Sequence, residues 1–143
     1  MREGKQLLIV DDDHEIARSL ALRLRAAGYE VLTAFDGQAG LNAAIEHRPD
    51  AIVLDIRMPV MDGLEVLARL RERINTRYIP VVVISANVVE QTRASALDLG
   101  ARCFLEKPYQ AGTLIAAVES VLKERRSPAD EWACPRFTAA SRS

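Results

Sequence analysis

Ala51-Ile52-Val53-Leu54-Asp55 and Val81-Val82-Val83-Ile84-Ser85 decide the fold of this chain. Each runs apolar without interruption and then stops on a polar side chain. A strand with one face in water alternates apolar and polar residues, whereas a strand covered on both faces does not; strands of the second kind belong to parallel sheets sandwiched between helices. Working outward, β-rich runs also stand at Gln6–Val10, Glu30–Thr33 and Arg102–Leu105, and a helical pattern follows each run. Strict alternation of strand and helix calls for a parallel sheet, and right-handed crossovers put helices on both of its faces.

The first helix is expected from Asp13 to Ala27, with Ile16, Leu20 and Leu24 on one face and Gly28 as its terminator. The second follows Asp36-Gly37, turns Leu41 and Ile45 inward, and stops before Arg48-Pro49, because the residue preceding proline disfavours helical dihedrals. Asp62, with Glu65 three residues on, forms a capping arrangement ahead of Leu67, Leu70 and Ile74. Asn87 and Glu90 repeat that spacing ahead of Leu97, and Gly100 closes the fourth helix. The fifth helix carries Leu114, Val118, Val121 and Leu122, while Gly112 and Thr113 blur its start.

The chain has 143 residues, 49% hydrophobic and 27% charged, which suits one domain with a real core and excludes disorder throughout. Lys and Arg number 19 against 20 Asp and Glu, a net charge of -1 that offers no broad positive field for DNA or anionic lipid. Up to Leu122 there are 14 basic and 17 acidic residues (-3), and beyond it 5 and 3 (+2), so a mildly acidic body precedes a mildly basic tail. The apolar runs are strand-sized, far below the ~20 residues of a membrane span. Met1-Arg2-Glu3-Gly4-Lys5 has no secretory pattern, so cytoplasmic residence is expected. Cys103 and Cys134 suggest no disulfide framework and no zinc spacing, and both are expected as reduced thiols.

In open parallel sheets the ligand sits beyond the carboxyl ends of the strands. Asp11, Asp12 and Asp13 stand there after the first strand, Asp55 after the third, Ser85 after the fourth and Lys107 after the fifth. Carboxylates crowded together repel by up to ~4 kcal/mol per close pair unless a cation offsets them. All-oxygen ligands select a hard ion such as Mg2+, which keeps waters and takes phosphate oxygens. An aspartate nucleophile, a metal, a lysine and a hydroxyl are the parts of a phosphoryl-transfer site. Each residue alone has an ordinary structural role, as helix cap, turn residue or surface lysine; their common position at one end of one sheet is what points to chemistry.

These residues carry a resemblance. Leu7-Leu8-Ile9-Val10-Asp11-Asp12-Asp13, Val53 through Gly63 with Met58-Pro59 inside it, Val83-Ile84-Ser85-Ala86, and Leu99-Gly100-Ala101 through Lys107-Pro108 resemble the receiver domain of two-component response regulators over about Lys5 to Leu122. The resemblance implies a flavodoxin-like α/β fold, a five-stranded parallel sheet of order 2-1-3-4-5 with five helices in three layers. It implies that Asp55 is the phosphoacceptor, loaded from a phosphohistidine on a sensor kinase or histidine phosphotransfer protein, so that neither His14 nor His47 is needed as donor. It further implies Mg2+, for which Mn2+ could substitute, held by the Asp12 and Asp55 side chains, the Arg57 carbonyl, and Asp11 through a water. Lys107 would contact the phosphoryl oxygen after a cis bond to Pro108. Ser85 and Phe104 would be the switch pair, moving a surface of the fourth helix, fifth strand and fifth helix toward a downstream protein, and Arg57 and Asn87 would tune phosphate lifetime.

The expected division is a receiver at 5–122 and a polar tail at 123–143, with Pro128, Pro135 and Trp132, that shows no period of its own. Arg102-Cys103 stands where many DNA-binding regulators of the family carry two acids, which argues against their dimer mode; a monomer or a phosphorylation-dependent dimer is expected, with no direct DNA binding by this chain. One competing reading is a small phosphatase using Asp11 of an Asp11-x-Asp13 pair, which leaves Asp55 without a role. Another is a flavin-binding module, which the acids after the first strand oppose.

Overall fold

The computed structural model describes residues 4–86, 90–107 and 110–123. Five strands and five helices alternate: β1 (Gln6–Val10), α1 (His14–Ala26), β2 (Glu30–Ala34), α2 (Gly37–His47), β3 (Ala51–Asp55), α3 (Gly63–Arg71), β4 (Val81–Ser85), α4 (Glu90–Asp98), β5 (Cys103–Glu106) and α5 (Ala111–Lys123). Every strand pairing is parallel and the sheet order is β2-β1-β3-β4-β5, the flavodoxin-like order that the resemblance implied. Among the described residues no helix is long and apolar enough to cross a membrane.

Alternate strand residues feed two cores. Leu7, Ile9, Val53, Val82 and Leu105 pack with α1 and α5, while Leu8, Val10, Leu54, Val83 and Phe104 pack with α2, α3 and α4. β3 and β4 are buried along their whole length, which is the physical content of their unbroken apolar spelling. The helix starts are set by side-chain caps: Asp13 accepts from the Ile16 N–H, Asp36 from Ala39 and Asp62 from Glu65. Gly28 and Gly100 take φ of 104° and 91° at the ends of α1 and α4, a left-handed region open to glycine.

Two expectations need correction. Ile74 is expected with Leu67 and Leu70 in the third helix, but α3 ends at Arg71 and Ile74 is 81% exposed. The Thr76 hydroxyl donates to the Leu70 carbonyl at 2.8 Å, capturing an end-of-helix acceptor and turning the chain back toward β4. Cys103, expected as a free thiol, is disulfide-bonded. Asn87, Pro108 and the cis bond expected before it, and the tail with Trp132 lie outside the described residues.

Between β3 and α3 the backbone makes a tight turn, the Met61 N–H donating to the Pro59 carbonyl at 2.8 Å with Val60 at φ 70°. A fully exposed β-branched residue has nothing to gain from that conformation. Val60→Gly is therefore expected to raise stability by about 1 kcal/mol. Urea midpoints of the two proteins check this, and a lower midpoint for the variant refutes it.

Candidate functional site

The register of three neighbouring strands brings the polar residues together. Val10 lies opposite Leu54 and Asp55 opposite Ile84, so Asp11 follows its strand directly beside Asp55, with the end of β4 on the other flank. Ser85 lies opposite Glu106, and the Lys107 N–H donates to the Ser85 carbonyl at 2.8 Å, which fixes the root of the lysine beside the acids. The Lys107 ammonium then stands 3.4 Å from Asp55 Oδ2 and 3.7 Å from Asp11 Oδ2.

One oxygen of Asp11, Oδ1, accepts from the Asp13 N–H at 2.9 Å, and one of Asp55, Oδ1, from the Arg57 N–H at 3.3 Å. Asp11 Oδ2 is buried without a hydrogen-bond donor among the described residues. Ligand oxygens of Asp11, Asp12 and Asp55 all lie within 4.8 Å of one another, with Asp12 exposed and the other two buried. Burial, and next to it the Asp55 carboxylate, push the Asp11 carboxyl up from its ordinary value to about 6, against the opposing pull of the Asp13 N–H and the Lys107 ammonium. The pocket is thus short of positive charge even with its lysine in place. An all-oxygen set of three clustered acids with an unsatisfied buried oxygen fits a hard divalent ion.

Asp11, Asp12, Asp55, Ser85 and Lys107 therefore meet at one end of the sheet. Ser85 is 1% exposed and its hydroxyl oxygen has no hydrogen-bond partner among the described residues, so it is available to a ligand atom entering between β3 and β5. Arg57 has its backbone at the site and its side chain exposed. Phe104, read as the switch aromatic or else as a permanently buried ring, lies inward at 1% exposure, packed with the α2–α3–α4 core.

Two features of the site were not read from the sequence. Gly63, the residue after the Asp62 cap, is built against the strand that carries Asp55: a Cβ there would sit 2.5 Å from the Asp55 carbonyl oxygen and 2.7 Å from Ile56 Cα. Its N–H donates to the Ile56 carbonyl at 2.8 Å, locking α3 against the end of β3. Gly40 makes a similar approach to the Val10 side chain, 2.7 Å from Cγ1, one residue before Asp11. The Asp62 cap beside Gly63 was visible in the sequence, whereas the close approaches of Gly63 and Gly40 depend on tertiary packing.

A three-layer α/β/α domain with clustered acids and a lysine at the carboxyl ends of its strands is the architecture of one signalling class, and the chain belongs to it: residues 7–119 match the response regulator receiver domain family. The transcriptional regulatory protein PrrA of Mycobacterium tuberculosis is 45% identical over 124 residues, 87% of this chain and 52% of that protein. The response regulator ArlR of Staphylococcus aureus is 37% identical over 123 residues, 86% of this chain and 54% of that one. The chain thus spans about half the length of these curated relatives. Among solved structures, the chemotaxis response regulator CheY4 of Vibrio cholerae superposes with a TM-score of 0.77 at 32% identity, covering 82% of this chain and 98% of that one. The receiver domain of a sensor histidine kinase of Pseudomonas aeruginosa, with magnesium coordinated in its active-site cleft, gives 0.77 at 29%, covering 84% and 98%.

Proposed function

We propose that Asp55 is the phosphoacceptor of a two-component relay and that residues 5–122 form the working unit. The observation that carries this reading is the triangle of Asp11, Asp55 and Lys107: one acid at a strand end faces an ammonium at 3.4 Å while a second acid beside it is driven toward its neutral form. Asp55 attacks phosphorus, the P–N bond to a donor imidazole breaks, and the imidazole nitrogen leaves with the bonding pair. Donors are a sensor histidine kinase or a histidine phosphotransfer protein. Lys107 neutralises one phosphoryl oxygen and the Ser85 hydroxyl donates to another. Mg2+, or Mn2+ in its place, would be held by the Asp12 and Asp55 side chains and the Arg57 carbonyl, with Asp11 acting through a water, and would supply positive charge beside the transferring group.

The phosphorylated state is then read as a population shift at the surface of α4, β5 and α5, with Ser85 and Phe104 as the switch pair and Arg57 and Asn87 bordering the path of hydrolytic water. The downstream partner is a protein; DNA binding is not assigned to residues 5–122, and residence is cytoplasmic. The unit acts as a signalling domain, assisting its own phosphorylation and dephosphorylation, either alone or joined to further parts.

Incubation with Mg2+ and acetyl phosphate, followed by peptide mass spectrometry, tests this. The adduct is expected on Asp55, absent from Asp55→Asn, and retained at a reduced rate in Asp11→Asn. Lys107→Met should slow labelling about a hundredfold. An adduct on Asp11 favours the phosphatase reading and overturns this one.

A further inference from the structure

α4 is loosely held by its own residues: Ala96 alone is buried along it, and Leu97 and Leu99 are only partly covered. Its lower end, where it turns into β5, is held instead by a side chain from another helix. Arg71, the last residue of α3, donates from Nε to the Leu99 carbonyl at 2.8 Å and from Nη2 to the Gly100 carbonyl at 3.0 Å. From Nη1 it donates to the Arg77 carbonyl, and to that of Ile79 at 3.2 Å, in the segment that leads into β4. One guanidinium therefore ties the α4–β5 corner to the α3–β4 connection. The accepting carbonyls at 99 and 100 lie just past the helix, where acceptors lack intrahelical partners and the dipole favours a cation. The planar fork matches this task in a way that an ammonium on a flexible stem does not. Gly100 completes the fit, since a Cβ there would lie 2.8 Å from Arg71 Nε.

The geometry matters because the two ends of α4 face different things. α4 follows Ser85, at the site, and ends at the opposite pole of the sheet, where α3 also ends. We propose that Arg71 is the pivot of the switch: it holds the α4–β5 corner still in both states, so that movement started at Ser85 displaces the first turns of α4 and leaves its last turn in place. Arg71 is a positioning residue that touches no reacting atom. The inference rests on the phosphorylation-linked shift of α4 proposed above.

Hydrogen exchange read by mass spectrometry on the full chain, before and after loading with Mg2+ and acetyl phosphate, tests it. In the unaltered protein, phosphorylation is expected to change exchange at 90–94 by about tenfold and at 98–102 by less than twofold. Arg71→Met should raise exchange at 98–102 about tenfold before phosphorylation, and phosphorylation should then change the whole span 90–102; Arg71→Lys should behave like Arg71→Met. Thr76→Val, which removes a buried hydrogen bond to Leu70 in the same region, is the control for lost stability. If it spreads the change as Arg71→Met does, or if phosphorylation of the unaltered protein changes 98–102 as much as 90–94, the pivot is refuted. An Asp55 adduct without any change in 90–102 refutes the switch reading, and a missing adduct refutes the phosphoacceptor reading. In both of those cases the unphosphorylated Arg71→Met protein still decides whether the corner is anchored.

Discussion

Gly63→Ala is expected to lose about 3 kcal/mol of folding stability, the upper end of what overpacking costs. The added methyl would meet the Asp55 carbonyl oxygen at 2.5 Å and Ile56 Cα at 2.7 Å. Both are backbone atoms at the end of a strand buried on each side, so neither can swing away as a side-chain tip would. Relief must come from moving α3 off β3, which breaks the Gly63 to Ile56 hydrogen bond and displaces the carboxylate that accepts phosphate in the reading above. Gly112→Ala is the matched control: a Cβ there meets nothing within 4 Å, inside a helix where alanine outranks glycine by up to about 1 kcal/mol. Urea denaturation should move the two midpoints in opposite directions. A Gly63→Ala midpoint within error of the parent would show that the approach is softer than the distances state.

The second large effect concerns pH and metal. The Asp11 carboxyl binds its proton more tightly folded, at about 6, than unfolded, at 3.8. Between those values the Asp11 site holds more protons in the native state than in the unfolded chain, so its contribution to metal-free stability falls as pH rises through that window and levels off above it. At about 1.4 kcal/mol per unit the loss is on the order of 3 kcal/mol. Mg2+ should reverse most of it near pH 7, since a hundredfold excess over the dissociation constant contributes about 2.7 kcal/mol. Asp11→Asn should remove that fall and weaken the response to Mg2+ together. Thermal melts at pH 4 and pH 7, with and without the ion, measure all four corners. A change in stability from pH 4 to pH 7 in EDTA that is the same in Asp11→Asn as in the parent would contradict the burial argument.

How far the sequence carried can be seen residue by residue. Caps and strands were legible because their signals are local: Asp13, Asp36 and Asp62 each bond a backbone N–H three residues on, and the spelling of β3 and β4 states their burial directly. The meeting of Asp11, Asp55, Ser85 and Lys107 was legible because parallel strands share an end. Ile74 was misplaced because helical periodicity continues on paper past Arg71, whereas the Thr76 hydroxyl ends the helix through a contact with no periodic signature. The packing of Gly63 and the four carbonyls gathered by Arg71 were invisible for a related reason. Residues 63 and 71 look ordinary until the layers are stacked, since their partners lie on other elements or in an irregular turn.

The order of strands also bears on how the protein is assembled during synthesis. The first strand made becomes an interior one, with β2 on one side and β3 on the other. A nascent chain that has emerged only as far as α2 can pair β1 with β2, leaving the opposite edge of β1 open until residues 51–55 leave the ribosome. That closure is the step that presses acid 55 against acid 11, and the ammonium at 107 is translated only afterwards. During the interval the lysine that offsets the paired negative charge in the finished domain has yet to join it.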